Sequence, residues 1–179
     1  MRVVYLNPCG QMGGAEICLV DMLASIRAAE PDWQCCLVLG EDGPLVEHAK
    51  AAGAQVIVAP FPGAVARLGD SRSGAVQALW SCLKASAGAV QYAFHLGRIL
   101  RKLQPDVIHT NGFKMHILGV WARPDDVPVI WHVHDYVSTR PLMKRLLRLH
   151  AGRSKAVIAN SRSVASDAQS VCGAQTETV

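Results

Sequence analysis

The sequence predicts a doubly wound α/β domain with a Rossmann-like parallel sheet. Three observations predict it. Short apolar runs alternate with helical stretches along the whole chain. The linking stretches are about ten residues or longer, the length a parallel crossover needs. The strand runs are almost uniformly apolar, as in a sheet covered on both faces.

The elements follow in order. "RVVYL" reads as a first, buried strand, and "GAEICLVDMLASIRAAE" as a helix with Leu19, Met22, Leu23 and Ile26 at helical spacing. "CCLVLG" is a second strand, followed by a turn from Gly40 to Pro44. "PLVEHAKAAG" is a helix with proline at its start and glycine at its end. "AQVIVAP" is a third strand, and "FPGAVARLGDSRSG" a loop. A long helical pattern then runs from Ala75 to Leu103, with Leu79, Leu83, Ala87, Val90 and Phe94 as its stripe. "SAGA" is the place where it would break, and Pro105 stops it. "DVIHTN", "PVIWHVHD" and "KAVIANS" supply strands four to six. "MHILGVWAR", the basic "PLMKRLLRLHAG" and "SVASDAQSVCG" are the helices that follow them, and "TETV" begins as another strand.

Composition sets bounds. The 179 residues suit one domain with a real core, half of them hydrophobic and 18% charged, which excludes a disordered chain. A net charge of +4 permits anionic partners without selecting one. Six cysteines contain no C-x-x-C, so neither a zinc knuckle nor a thioredoxin-type site is indicated. Cys18, Cys35 and Cys36 lie in apolar runs and read as small buried hydrophobes, which suits a reducing cytosol. The first apolar run is too short for a signal peptide, and no stretch is long enough to span a bilayer. The expected location is cytoplasmic.

Polar residues collect at the carboxyl ends of the strands, where ligands of such sheets sit. Gly10, Gly13 and Gly14 follow the first strand, His109 and Asn111 end the fourth, His132, His134 and Asp135 the fifth, and Asn160 and Ser161 the sixth. Gly13 and Gly14 open a helix, whose free N–H groups attract anions. The spacing is neither G-x-G-x-x-G nor a Walker motif. Two readings of this loop stay open: a tight turn with Glu16 as its capping carboxylate, or a phosphate approach. His132 and His134 share one strand face. With His109 and Asp135 they could form a zinc site; the other reading makes His132 a packed, hydrogen-bonded histidine and His134 a ligand contact. The helix carrying Lys144, Arg145 and Arg148, with Arg153 beyond it, either touches an anionic membrane peripherally or has a solvated cationic face. Aromatic residues do not interleave with these charges, which argues against nucleic acid.

"GQMGGAE", "PDVIHTN", "VPVIWHVHD" and "KAVIANSRSVASD" occur in an order and spacing that resembles the N-terminal half of a retaining GT-B glycosyltransferase of family four. The resemblance covers the whole chain and implies a transfer from a nucleotide sugar to a sugar or lipid-linked acceptor. It implies an acceptor-side domain at residues 1–179, with the donor-binding C-terminal domain and its E-x7-E motif outside this chain. Gly13 and Gly14 would approach the donor diphosphate and His134 the transferred sugar, with no metal ion and no cofactor. His109, Asn111, Asp135 and Ser161 are further candidate contacts, as are Arg67 and Arg72 in the loop after the third strand. Alone, the domain is expected to be inactive and to self-associate. The rival readings are a stand-alone nucleotide or sugar-phosphate binding module and a zinc hydrolase.

Overall fold

The computed structural model describes residues 1–63, 75–173 and 177–178. Seven parallel strands form one sheet in the order β3-β2-β1-β4-β5-β6-β7. They are β1 Arg2–Asn7, β2 Gln34–Leu39, β3 Gln55–Val58, β4 Val107–Asn111, β5 Val129–Val133, β6 Ala156–Ala159 and β7 Glu177–Thr178. The helices are α1 Gly14–Ala29, α2 Leu45–Ala51, α3 Ala75–Leu103, α4 Phe113–Ala122, α5 Pro141–His150 and α6 Arg162–Cys172. A short 3-10 turn, Ala151–Arg153, extends α5.

Alternation along β1 divides the core. Val3 and Tyr5 pack with Leu19 and Leu23 of α1 and Leu45 and Ala49 of α2. Val4 and Leu6 point to the other face and join residues of α3, α4, α5 and α6. The sheet is covered on both faces, which explains its almost continuously apolar strands. Burying each large aliphatic side chain contributes roughly 1.5–3 kcal/mol.

The chain order reverses direction at β1, which pairs with β2 on one side and β4 on the other. Neighbouring crossovers leave that junction on opposite faces, so a crevice opens between the loops after β1 and β4.

Two expectations are corrected. On α3, Ala87, Val90 and Phe94 face solvent, Phe94 with 71% of its surface exposed. The buried stripe is instead Tyr92, Ala93, Leu96 and Leu100. Leu79 and Leu83 of the expected stripe lie outside the described side chains; over the described ones the helix carries apolar residues on two faces, and only one of these is buried. It also runs unbroken through "SAGA". The second correction is Cys18, which lies on the outer side of α1 and is exposed. Leu19 and Leu23 take the buried side. Cys36 is buried and Cys35 half-buried. Among the described residues no helix is long and apolar enough to cross a membrane.

Candidate functional site

The crevice at the junction has a volume of about 1590 Å³. Asn7, Gly14 and Glu16 line it from the end of β1 and the start of α1. Glu41 and Asp42 line it from the loop after β2, Phe113, Lys114 and His116 from α4. His134, Asp135 and Asn160 close it from the ends of β5 and β6.

The glycines of the first loop divide into two kinds. A Cβ on Gly10 would lie 2.5 Å from the backbone carbon of Asp42, so the loop after β2 requires glycine there. The Leu45 N–H donates to the Gly10 carbonyl at 3.0 Å and fixes this approach. Gly14 begins α1 and has no atom within 4 Å of its Cβ position. Nothing in the chain demands glycine there, and the space in front of it belongs to the crevice. Gly13 is the N-cap, where a Cβ would meet only the mobile end of Glu16, at 2.9 Å.

Behind the wall, the histidines are linked. His109 is buried, with Nε2 3.2 Å from Nδ1 of His132. The His132 ring in turn lies 4.1 Å from that of His134, centroid to centroid, as two residues on one strand face should. Burial first, then the neighbouring imidazoles His132 and His134, lower the pKa of His109 to about 3. Burial first, then His134, lowers that of His132 to about 4. His134 is depressed by burial, although Glu16 and Asp135 pull the other way. All three rings are neutral at physiological pH. Among the described residues no group of three or more His, Cys, Asp or Glu is arranged to hold a metal ion.

The sequence-predicted residues therefore separate. Gly14, His134 and Asp135 meet in the crevice, with Gly13 adjoining as the cap of α1. His109 and Asn111 lie behind the wall, and neither lines the crevice. Ser161 does not line it either: its Oγ accepts the Val164 N–H at 3.3 Å and caps α6. Asn160 does line it, its amide donating to the His134 carbonyl at 3.2 Å. Arg67 and Arg72 lie outside the described residues.

Buried polar atoms without a partner concentrate here. They are Oδ1 of Asn7, both amide atoms of Asn111, and Nε2 of His116 and His134, with the indole N–H of Trp131 beside them. Leaving such an atom unmade costs about 1–3 kcal/mol, and native folds hold few of them. Sequence reasoning missed Asn7 and His116. Asn7 closes β1 as Asn111 closes β4, so a polar strand end was available as a signal. His116 is the polar residue of the otherwise apolar "MHILGVWA", easily read as core.

The loop between β5 and α5 is pinned from below. Asp167 of α6 accepts the backbone N–H groups of Val137 at 2.6 Å and Ser138 at 3.1 Å. This holds His134, Asp135 and Arg140 in place at the crevice mouth. Helix α5 buries Leu147 and His150 and turns Lys144, Arg145 and Arg148 to solvent, together with Leu142 and Leu149.

Solved structures share this architecture. HepE (Alr3699) from Anabaena in complex with UDP matches with a TM-score of 0.69 at 20% identity. The match covers 100% of this chain and 43% of that one. The lipopolysaccharide outer core galactosyltransferase WaaB, in its apo form, matches at 0.67 and 10%, covering 100% and 44%. MurG from Acinetobacter baumannii matches at 0.60 and 15%, covering 99% and 44%. At such identities the likeness establishes the GT-B type of Rossmann-like fold. The chain spans less than half the length of these neighbours. Among curated proteins no sequence matches significantly. The family model of Glycosyltransferase Family 4 matches residues 12–179, and the chain belongs to that family.

Proposed function

We propose that this chain is the N-terminal, acceptor-side domain of a retaining glycosyltransferase that moves a sugar from a nucleotide-sugar donor to a hydroxyl acceptor. The observation that carries the reading is the set of buried, unpartnered polar atoms around a crevice at the reversal point of the sheet. HepE, similar in fold, was also solved with UDP-glucose. The retaining course rests on the family resemblance.

In this reading Gly14 leaves room for the donor diphosphate, and the first N–H groups of α1 face it. His134 presents a neutral imidazole to the transferred sugar, able to donate or accept without a metal. Its task is to hold a hydroxyl and stabilise charge as the bond to the nucleotide breaks. Glu16 and Asp135 favour positive charge on that ring. His109, through His132, is a positioning residue, as is Asn111 behind the wall. A second domain outside this chain would grip the diphosphate. Without it, reactants are not positioned and the domain does not turn over. The edge it would cover is then free to self-associate, and a strictly monomeric sedimentation profile at high concentration would count against that.

Helix α5 completes the reading as a peripheral contact with an anionic bilayer. Arg145, Arg148 and Lys144 share its outer side with Leu142 and Leu149, 54% and 76% exposed. The deciding experiment incubates the protein, joined to its second domain, with a panel of nucleotide sugars and measures nucleotide release and sugar transfer. Binding without turnover across the panel would favour a stand-alone binding module.

A further inference from the structure

Three helices begin at the crevice, and their charges differ. Helix α1 carries Glu16 in its first turn. The first turns of α4 and α5 hold no acidic residue, and no side chain caps either helix. Gly112 is the N-cap of α4, and with Phe113 and Lys114 it forms part of the crevice wall. Pro141 and Leu142 bring the start of α5 to the same crevice. The backbone N–H groups and the positive dipole end at each start favour an anion.

Two cations stand at these starts and line the crevice. Lys114 lies in the first turn of α4, and Arg140 is the N-cap of α5. The Arg140 guanidinium lies 5.5 Å from the centroid of the Phe113 ring, which holds it beside the start of α4. Its loop is fixed from below by Asp167. The carboxylates of the crevice belong elsewhere: Glu16 to α1, Glu41 and Asp42 to the loop after β2, Asp135 to the end of β5. His116, one turn into α4, gives an independent sign of a ligand. It is fully buried and lines the same crevice, and its Nε2 has no protein partner. The 2.7 Å contact of its Nδ1 with the Thr110 hydroxyl leaves the tautomer open, so Nε2 is able to meet an anion as a donor.

We infer that the starts of α4 and α5, with Lys114 and Arg140, form a seat for a phosphate group carried by the acceptor, apart from the diphosphate position at Gly14. A guanidinium presents paired N–H donors to phosphate oxygens, and helix N–H groups add further ones. The phosphate arrives on a soluble sugar phosphate or on a lipid headgroup, two sources with one chemistry. Leu142 and Met143 line the crevice next to Arg140 and lead to the exposed side of α5, where the chains of a lipid would lie. The inference rests on the proposed function only in calling the bearer of the phosphate the acceptor.

The test uses the purified chain labelled with nitrogen-15, and three probes: glucose 6-phosphate, methyl glucoside and dihexanoyl phosphatidic acid. Glucose 6-phosphate should shift the amide resonances of Phe113, Lys114, Leu142 and Met143. It should bind about tenfold more tightly than methyl glucoside, or better. Arg140→Gln should weaken glucose 6-phosphate about tenfold and leave methyl glucoside unchanged. If that variant does not fold, Lys114→Gln and the wild-type shifts decide. Phosphatidic acid that outbinds glucose 6-phosphate at the same amides identifies a lipid source, and equal or weaker binding a soluble one; either keeps the seat. Four results would overturn the inference: equal binding of glucose 6-phosphate and methyl glucoside, unchanged glucose 6-phosphate affinity in the folded variants, shifts confined to the first amides of α1, or no response to any probe. Binding is read here without transfer, so failure leaves the glycosyltransferase reading standing. Conversely, an inactive two-domain enzyme would leave the phosphate seat intact.

Discussion

His132 and His134 are two residues apart with rings 4.1 Å apart, yet they occupy different chemical situations. His132 is buried and shares a hydrogen bond with His109. His134 lines the crevice with an unpartnered Nε2. The glycines of the first loop show the same contrast, Gly10 pressed against backbone and Gly14 facing open space. Residues of one kind, a few ångströms apart, meet protein partners on one side of the wall and face the crevice without one on the other. Residue type does not distinguish these roles, and the partner of each atom does.

The sharpest way to break the contrast is to exchange the burden between the glycines. Gly14→Val in the two-domain enzyme should abolish transfer while the melting temperature stays close to wild type. Gly10→Val should fail to fold, because its side chain meets backbone that cannot yield. Near-normal transfer by the first variant would make the whole loop a structural turn. The histidine pair gives the next largest effect. His134→Ala should lower turnover roughly 10²–10³-fold with little change in stability. His132→Ala should do the reverse, destabilising by about 1–3 kcal/mol because His109 loses its partner. Equal activity loss at both positions would make them one shared ligand site and erase the distinction.

Acid sharpens the comparison further. The folded pKa values of His109 and His132, about 3 and about 4, lie below the ordinary 6.5. The unfolded chain therefore takes up protons that the folded chain refuses. Stability should be intact above 6.5 and should fall as pH drops from there through about 4 toward about 3. Thermal melts across that window check it, and a melting temperature constant from pH 6.5 to 4 would show that the pair is not buried as described. The smallest effect on the fold is expected on α5. Leu149→Asp should change stability by less than about 0.5 kcal/mol. It should nonetheless weaken cosedimentation with anionic vesicles, and unchanged vesicle binding would remove the leucine's part in that contact.

Much of this was legible from the chain. Alternating apolar runs and helices dictated a parallel sheet, and polar strand ends gave His134 and Asp135 as neighbours of the glycine loop. What could not be read followed from faces and partners. Helix α3 is apolar on two sides, so periodicity found a stripe at Ala87, Val90 and Phe94 that the sheet does not use. Cys18 sits in an apolar run, but its direction on α1 depends on where Leu19 and Leu23 dock. Ser161 at a strand end looked like a contact, whereas its Oγ was needed as a helix cap. His116 was invisible as a crevice residue because it stands in an otherwise apolar helical run and is itself buried.

The two core clusters also bear on the order in which the chain can assemble. All buried members of the smaller one, from Val3 to Ala54, are contributed by β1, α1, β2, α2 and the residue before β3. That layer can close as soon as the first third of these 179 residues has left the ribosome. The opposite face cannot. Val4, Leu6, Cys36 and Val38 await Leu96 and Leu100 of α3 and Ile108 of β4. β1 also needs β4, about a hundred residues downstream, as its second neighbour. During that interval one apolar sheet face and one unpaired strand edge are open to solvent, which makes the half-synthesised chain the species most in need of a chaperone.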